Sequence, residues 1–365
     1  MQLKQITQYL ESIAPLAYQE SYDNAGLIIG QPGDEISGIL ITLDITEDIL
    51  DEAIHKNLNL VIAHHPIVFS GIKKLNNKNY IERCVAKAIK NDISIYAAHT
   101  NLDSVFGGVN SKICEKLQLQ NCRMLAPMQS FLKKLVTFVP VADAEKVRNA
   151  LFDAGVGNIG NYDSCSFNVD GHGSFKGNEK ANPYVGEKNQ LHFEEETRIE
   201  TIFPRHIQNK VIQALIQNHP YEEVAYDIYP LDNEFSLGGS GMIGELAEPM
   251  DEMKFLQNLK EVFLCQVIKY TQLLGKPIKK VAVCGGSGSS FLNNAIAQNA
   301  DIFISGDFKY HQFFDAEQQI IIADIGHYES EQFTKEVFYE LLTKKFPKFA
   351  VHLSEISTNP VNYLI

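Results

Sequence analysis

The chain has 365 residues, 45% hydrophobic and 21% charged, which excludes a disordered chain, a coiled coil and a disulfide-dense miniprotein. Lys and Arg total 32 against 45 Asp and Glu, a formal net charge of −13. Affinity for nucleic acid comes largely from cations that neutralise phosphates, so nucleic acid is not an expected partner. The six cysteines (Cys84, Cys114, Cys122, Cys165, Cys265 and Cys284) form no CxxC and are expected as reduced, buried thiols. No apolar run approaches the roughly 18 residues of a membrane span, and the first ten residues read as an amphipathic helix, not a signal segment. A soluble, cytoplasmic protein is expected.

Strand and helix signals alternate in the first third. Gly38 to Leu43 reads as a buried strand, Thr46 to Lys56 as a helix, and Leu58 to Ala63 as a second strand running into His64-His65-Pro66. A helix over Tyr80 to Asn91 then precedes a strand, Ile93 to Ala98, which ends in His99-Thr100-Asn101-Leu102-Asp103. The middle reads differently: strand Leu132 to Pro140, helix Ala144 to Ala154, strand Cys165 to Val169, then a Gly/Asn-rich loop from Asp170 to Asn189. Strand Glu195 to Phe203, helix His206 to Gln217 and strand Val224 to Tyr229 follow. That is βαβ twice, the order of a ferredoxin-like α+β domain.

In the last third, Lys280 to Cys284 reads as a strand, Gly285 to Ser290 as a glycine-serine loop, Phe291 to Gln298 as a helix and Ile302 to Ser305 as a strand. Aligning Ala53-Ile54-x-x-Asn57 with Ala295-Ile296-x-x-Asn299 places His64-His65 on Gly306-Asp307, which suggests an internal duplication. The expected architecture is a duplicated three-layer α/β/α core with mixed sheets, residues 1–125 and 236–365, interrupted by an inserted domain at 126–235.

Polar residues collect where the strands end, the usual place for sites in open α/β folds. Adjacent strand residues point to opposite faces, so His64 and His65 can share a site only where the chain turns, and Pro66 supplies that break. Diverging neighbours suit two metal ions, although surface or capping histidines give the same dipeptide. His327 and Glu331 lie at i and i+4, on one face of a helix expected to continue through Phe333, Val337, Phe338 and Leu341; a solvated helix pair has that spacing too. Asp103 and His99 follow the third strand, in a position where a lone Asp also serves as a cap. His, Asp and Glu without Cys favour zinc, manganese or iron, and two such ions held together can activate water for hydrolysis. Gly285-Gly286-Ser287-Gly288 presents backbone N–H groups that could cradle an anion, or else simply makes a tight turn. Asp307 and His311 are candidates to support the ligands from behind.

Taken together, Tyr22-Asp23-Asn24-Ala25-Gly26-Leu27, His64-His65-Pro66-Ile67-Val68-Phe69, His99-Thr100-Asn101-Leu102-Asp103, Gly285-Gly286-Ser287-Gly288, Ser305-Gly306-Asp307 and Gly326-His327-Tyr328-Glu329-Ser330-Glu331 resemble the Nif-three-like family. Its members carry the label GTP cyclohydrolase I type 2 homologues. The resemblance implies that His64, His65, Asp103, His327 and Glu331 hold two divalent cations per subunit, zinc, manganese or iron. It also implies a toroidal homohexamer and, for the middle segment, a PII/CutA-like domain. Tyr22 stands where the family often has Trp, and Met242 where Arg is often expected. The function expected is metal-dependent hydrolysis of a nucleotide or related phosphorylated heterocycle, with His99 a candidate to relay protons. The alternative is a non-catalytic metal-binding assembly whose middle domain senses a ligand.

Overall fold

The computed structural model describes residues 1–364, which divide into two compact units: residues 1–126 with 237–364, and residues 127–236. The chain begins with helix α1 (Leu3–Ile13), strands β1 (Gly26–Ile29) and β2 (Ile39–Thr42), helix α2 (Glu47–His55) and strand β3 (Leu60–Ala63). Helix α3 (Tyr80–Lys90), strand β4 (Ser94–Ala97), helices α4 (Thr100–Asp103) and α5 (Val109–Lys116) and strand β5 (Gln120–Met128) follow. The second unit carries β6 (Leu132–Pro140), α6 (Ala144–Asp153), β7 (Phe167–Lys176), β8 (Leu191–Pro204), α7 (Gln208–Asn218) and β9 (Tyr226–Pro230). The chain returns through β10 (Phe235–Met250), α8 (Glu252–Val262), β11 (Lys269–Tyr270), β12 (Ile278–Ser287) and α9 (Leu292–Ala297). It closes with β13 (Ile302–Gly306), β14 (Ile321–Asp324), α10 (His327–Glu331), α11 (Thr334–Lys345) and β15 (Val351–Leu353).

Unit 1 holds two mixed sheets, ordered β1-β4-β3-β2-β15 and β11-β14-β13-β12-β10-β5. In each, three consecutive strands run parallel (β2-β3-β4 and β12-β13-β14), and a short antiparallel strand closes one edge. Strands buried on both faces carry unbroken apolar runs, which explains Ile39-Leu40-Ile41, Leu60-Val61-Ile62 and Ile302-Phe303-Ile304. Val61 and Ala63 pack with Ile49, Leu50 and Ala53 of α2 and with Cys84, Val85 and Ala88 of α3. Phe303 and Ile322 pack with Leu292 and Ala295 of α9 in the matching layer of the other half. Each fully buried aliphatic side chain contributes about 1.5–3 kcal/mol.

Helix boundaries follow local chemistry. The Thr46 hydroxyl accepts from the Ile49 N–H at 3.3 Å, and Glu47 and Asp48 occupy the first turn of α2, where negative charge meets the helix dipole. The two halves end their aligned helices alike. Asn57 and Asn299 both adopt left-handed backbone, φ 54° and 55°, and the next residue's N–H bonds back to Ala53 O at 2.9 Å and Ala295 O at 3.0 Å.

Unit 2 is a four-stranded sheet ordered β7-β8-β6-β9, every pair antiparallel, with α6 and α7 on one face over Leu135, Val139, Ile199 and Phe203. One expectation fails here. Residues 170–176, read as loop from their glycines, belong to β7, because a full ladder to β8 pairs Phe167 with Glu200 through Lys176 with Leu191. Tertiary pairing overrides the low strand propensity of glycine. Among the described residues no helix is long and apolar enough to cross a membrane.

Candidate metal centre

Within unit 1, the ends of β3, β4 and β14 bring four histidines and two acids together. His64 is fully buried just past β3, His99 follows β4, Asp103 ends α4, and His327 and Glu331 bound α10. Three groups lie close enough to hold a metal ion: His64 with His65 and His99, His65 with His327 and Glu331, and His64 with Asp103 and Glu331. Glu331 divides its carboxylate between two sides. Its Oε1 lies 3.6 Å from His64 Nε2, while its Oε2 lies 3.0 Å from His65 Nε2 and 3.1 Å from His327 Nε2. His64 Nε2 also lies 3.7 Å from Asp103 Oδ1.

The outward nitrogen of every ring is already engaged. His64 Nδ1 meets the Ala98 carbonyl at 2.9 Å, His65 Nδ1 meets Asp44 at 2.7 Å, His99 Nδ1 meets Asp23 at 2.8 Å, and His327 Nδ1 meets Asp307 at 2.8 Å. A carbonyl or carboxylate behind Nδ1 makes that nitrogen the donor and leaves Nε2 facing the centre, the arrangement that supports metal-ligating histidines. Asp44 is itself held by the Thr358 hydroxyl at 2.6 Å, and Asp23 by the Thr100 N–H at 3.0 Å.

Three buried polar atoms in this cluster find no hydrogen-bond partner: His64 Nε2, Asp103 Oδ1 and Glu331 Oε2. The short distances from Glu331 Oε2 to two ring nitrogens therefore lack hydrogen-bond alignment. We read them as atoms converging on common points, because a donor set left orphaned inside a protein is costly unless a cation completes it. The charges agree. Burial disfavours a charged His65, but Asp44 and Glu331 outweigh it and lift the ring to about 10. His327 is likewise raised, against burial, to about 9 by Glu331 and Asp307. Burial and the Glu331 charge push Asp103 up to about 8, whereas the surrounding histidines hold Glu331 well below the usual carboxylate range against its own burial. The site thus gathers positive charge at its centre, and divalent ions can replace those protons.

Gly285-Gly286-Ser287-Gly288 does not cradle an anion. β12 continues through Ser287, and the donors are occupied: Gly285 N–H by Asn110 Oδ1, Gly286 N–H by Ser330 Oγ and Gly288 N–H by Ser305 Oγ, each at 2.9 Å. The glycines make room instead. A Cβ at Gly286, where φ is +62°, would lie 2.3 Å from Glu331 Oε1. Met242 is fully buried, so no cation is presented from that position. The helix expected to run on from His327 breaks at Gln332-Phe333 into α10 and α11, although His327 and Glu331 keep their shared turn.

Sequence reasoning passed over Asp44, two residues beyond β2, and gave Asp23 no separate role. Both are single acids beside strand or turn residues, which carry no local signal. A cavity of about 350 Å³ opens beside the centre, bordered by His65, His327, Tyr328, Tyr363 and the ion pair of Lys269 with buried Asp324.

Residues 1–360 match the family described as Duf34/NIF3 (NGG1p interacting factor 3). A Bacillus subtilis (strain 168) protein named GTP cyclohydrolase 1 type 2 homolog is 40% identical over 367 residues, covering 99% of this chain and 98% of the relative. A Staphylococcus epidermidis protein of the same name is 36% identical over 368 residues, covering 100% of both. The crystal structure of a Bacillus cereus protein related to NIF3 superposes with a TM-score of 0.85 at 40% identity, covering 100% of this chain and 99% of that one.

Proposed function

The chain belongs to the Duf34/NIF3 family, and from that premise we propose that it is a dinuclear metal hydrolase acting on a nucleotide or related phosphorylated heterocycle. One ion, zinc, manganese or iron, would sit among His64, Asp103 and Glu331, and a second among His65, His327 and Glu331. The observation that carries this reading is the divided Glu331 carboxylate, one oxygen toward each set, with orphaned donor atoms on the first. When bound, such a pair supplies Lewis acidity that activates water and stabilises a developing anion. The chain's own residues do the rest. Asp44 and Asp307 orient His65 and His327. His99, its Nδ1 on Asp23 and its ring centroid 5.3 Å from those of His64 and His65, is placed to take and return a proton beside the cluster. The 350 Å³ cavity receives the substrate, with Tyr328 and Tyr363 offering faces for a flat ring.

The name carried by the relatives supports opening of a GTP imidazole ring as the first reaction to assay. The family resemblance supports a toroidal homohexamer in the cytoplasm, with unit 2 as a PII/CutA-like domain of ferredoxin-like order.

The test is metal analysis after stripping and reloading, followed by turnover of GTP, phosphomonoesters and phosphodiesters. About two ions per chain are expected for the native protein, with hydrolysis returning on reloading. Glu331→Gln should lose both ions, because it contributes to each set. Full metal retention in that variant would overturn the dinuclear reading. Metal binding without turnover of any substrate would leave a non-catalytic metal-binding protein.

A further inference from the structure

Unit 2 contains a cavity of about 730 Å³ on the face of its sheet opposite the helices. Its floor is carved by sequence. On β7, Val169, Gly171, Gly173 and Phe175 alternate onto one face, paired with Arg198, Glu196, Glu194 and His192 of β8. Gly171 leaves open space beside Val169, and Gly173 leaves the room that the Glu196 carboxylate itself takes up. A Cβ at Gly171 would meet nothing within 4 Å, and one at Gly173 would lie 2.0 Å from Glu196 Oε2. The connection between β7 and β8 and the turn at Tyr221-Glu222 form the walls, tied together by the Asn182 N–H donating to Glu222 at 2.7 Å.

Glu196 lines this hollow and is only 9% exposed. Its Oε1 accepts from the Tyr221 hydroxyl at 2.8 Å, and among the described residues no cation pairs with it. Two of the neighbouring basic groups are committed elsewhere. Arg198 pairs with Glu200 at 2.8 Å and lies over the Phe138 ring. His219 places Nε2 on the Phe138 carbonyl at 2.9 Å and accepts the Tyr221 N–H on Nδ1 at 3.1 Å, which fixes a neutral ring. Lys176 is exposed at the rim. Three rings flank the carboxylate: Tyr221 has its centroid 6.1 Å from that of Phe175 and 6.3 Å from that of Tyr184. The cavity is bordered by Asp170, Glu196, Glu222 and Glu223 and by Lys176 and Arg198, with Asp170 accepting from the Thr197 hydroxyl and Glu222 from the Asn182 N–H.

We propose that this cavity binds a small organic ammonium cation, its charged head on Glu196 and its apolar body among Phe175, Tyr184 and Tyr221. A largely buried carboxylate that has a neutral donor but no counter-ion is complemented by a cation that enters with its ligand. Aromatic faces carry negative potential and accept the same charge, while their area holds the hydrocarbon part. The open space over Gly171, beside the Glu196 carboxylate, gives the head its access. This site is independent of the metal centre and of any reaction there.

The probe is phenethylammonium, titrated into the full-length protein by calorimetry, with 2-phenylethanol and 3-phenylpropionate as its neutral and anionic counterparts. The ammonium should bind at least about tenfold more tightly than the alcohol, as a charge-assisted contact implies, and the carboxylate should bind weakest. Glu196→Gln should remove that advantage. Gly171→Leu, which keeps the charge but fills the hollow, should abolish binding with metal content unchanged. Equal affinity for ammonium and alcohol, preference for the anion, or no binding at millimolar concentration would each overturn the proposal. The ligand series on the native protein decides the matter even where a variant fails to fold.

Discussion

The two sheets of unit 1 share the order of four strands, β1-β4-β3-β2 and β11-β14-β13-β12, with an antiparallel strand at that edge and a common helix ending, yet they load their strand ends differently. Past β3 the first half carries two rings, His64 and His65. At the aligned place, the end of β13, the second half carries Gly306 and Asp307, and Asp307 meets the back of His327. The second half delivers its inward groups from α10 instead, and its glycines at 285 and 286 yield the space that Glu331 occupies. A repeated scaffold therefore fixes where groups converge, while the side chains decide which half holds and which half supports.

The largest expected effect is on the half that makes room. Gly286→Ala puts a side chain on left-handed backbone, a cost of about 1–2 kcal/mol by itself, and drives it into Glu331 Oε1. Denaturant titration should show at least that loss, with reduced metal content. Native metal content and stability would mean that Glu331 can move aside, and the contrast between the halves would weaken.

The carboxylates behind the rings compare the halves directly. Asp44→Asn and Asp307→Asn should each weaken metal binding about 10–100-fold. Asp44 should be the more sensitive, because its side chain is 34% exposed against 52% for Asp307 and is also held by Thr358. Competition against a calibrated chelator measures both; a larger loss at Asp307 would reverse the assignment of the better-braced half.

How much of this was legible in sequence depended on how many residues carried each signal. The parallel strands announced themselves as apolar runs bounded by helices, and Leu132–Pro140 was read to the residue. His64-His65 was visible because two ligand types stood together at a strand end, and His327 with Glu331 because one helical turn joins them. Asp44 and Asp23 act on rings 21 and 76 residues further along the chain, and one acid beside a strand looks like a cap. Glycines were the hardest residues to read. Gly285 to Gly288 left an anion cradle and a tight turn both open, and side chains from α5, β13 and α10 take those donors. Gly171 and Gly173 looked like loop, although the partner strand that makes them β7 lies beyond a further connection.

Asp23 braces His99, the ring that follows β4, so its contribution isolates the first half. Burial pushes its carboxyl up, but His99 and Thr100 hydrogen bonds prevail and hold it at about 2, against an ordinary 3.8. A carboxyl whose folded value is depressed stabilises the fold above its unfolded value, and that stabilisation is lost as pH falls through the folded one. The shift corresponds to about 2 kcal/mol. Native protein and Asp23→Asn should differ by about that amount in urea stability at pH 7, and the gap should close between about pH 4 and pH 2. A gap independent of pH would place the effect in packing.

The smallest effect tests what the halves hold in common. Asn57 and Asn299 sit at the same left-handed position after aligned helices, with φ of 54° and 55° and matching bonds from the next residue back to Ala53 and Ala295. Asparagine tolerates that backbone better than alanine, so each Asn→Ala change should cost about 1 kcal/mol, and each Asn→Gly change should cost less or stabilise. Both helices pack on parallel strands of the same kind, α2 against β3 and α9 against β13. Equal costs in thermal or urea unfolding are therefore expected from the two positions. A cost at only one of them would show that the shared conformation has different neighbours to satisfy, and the duplication would then extend to the backbone path without extending to its energetics.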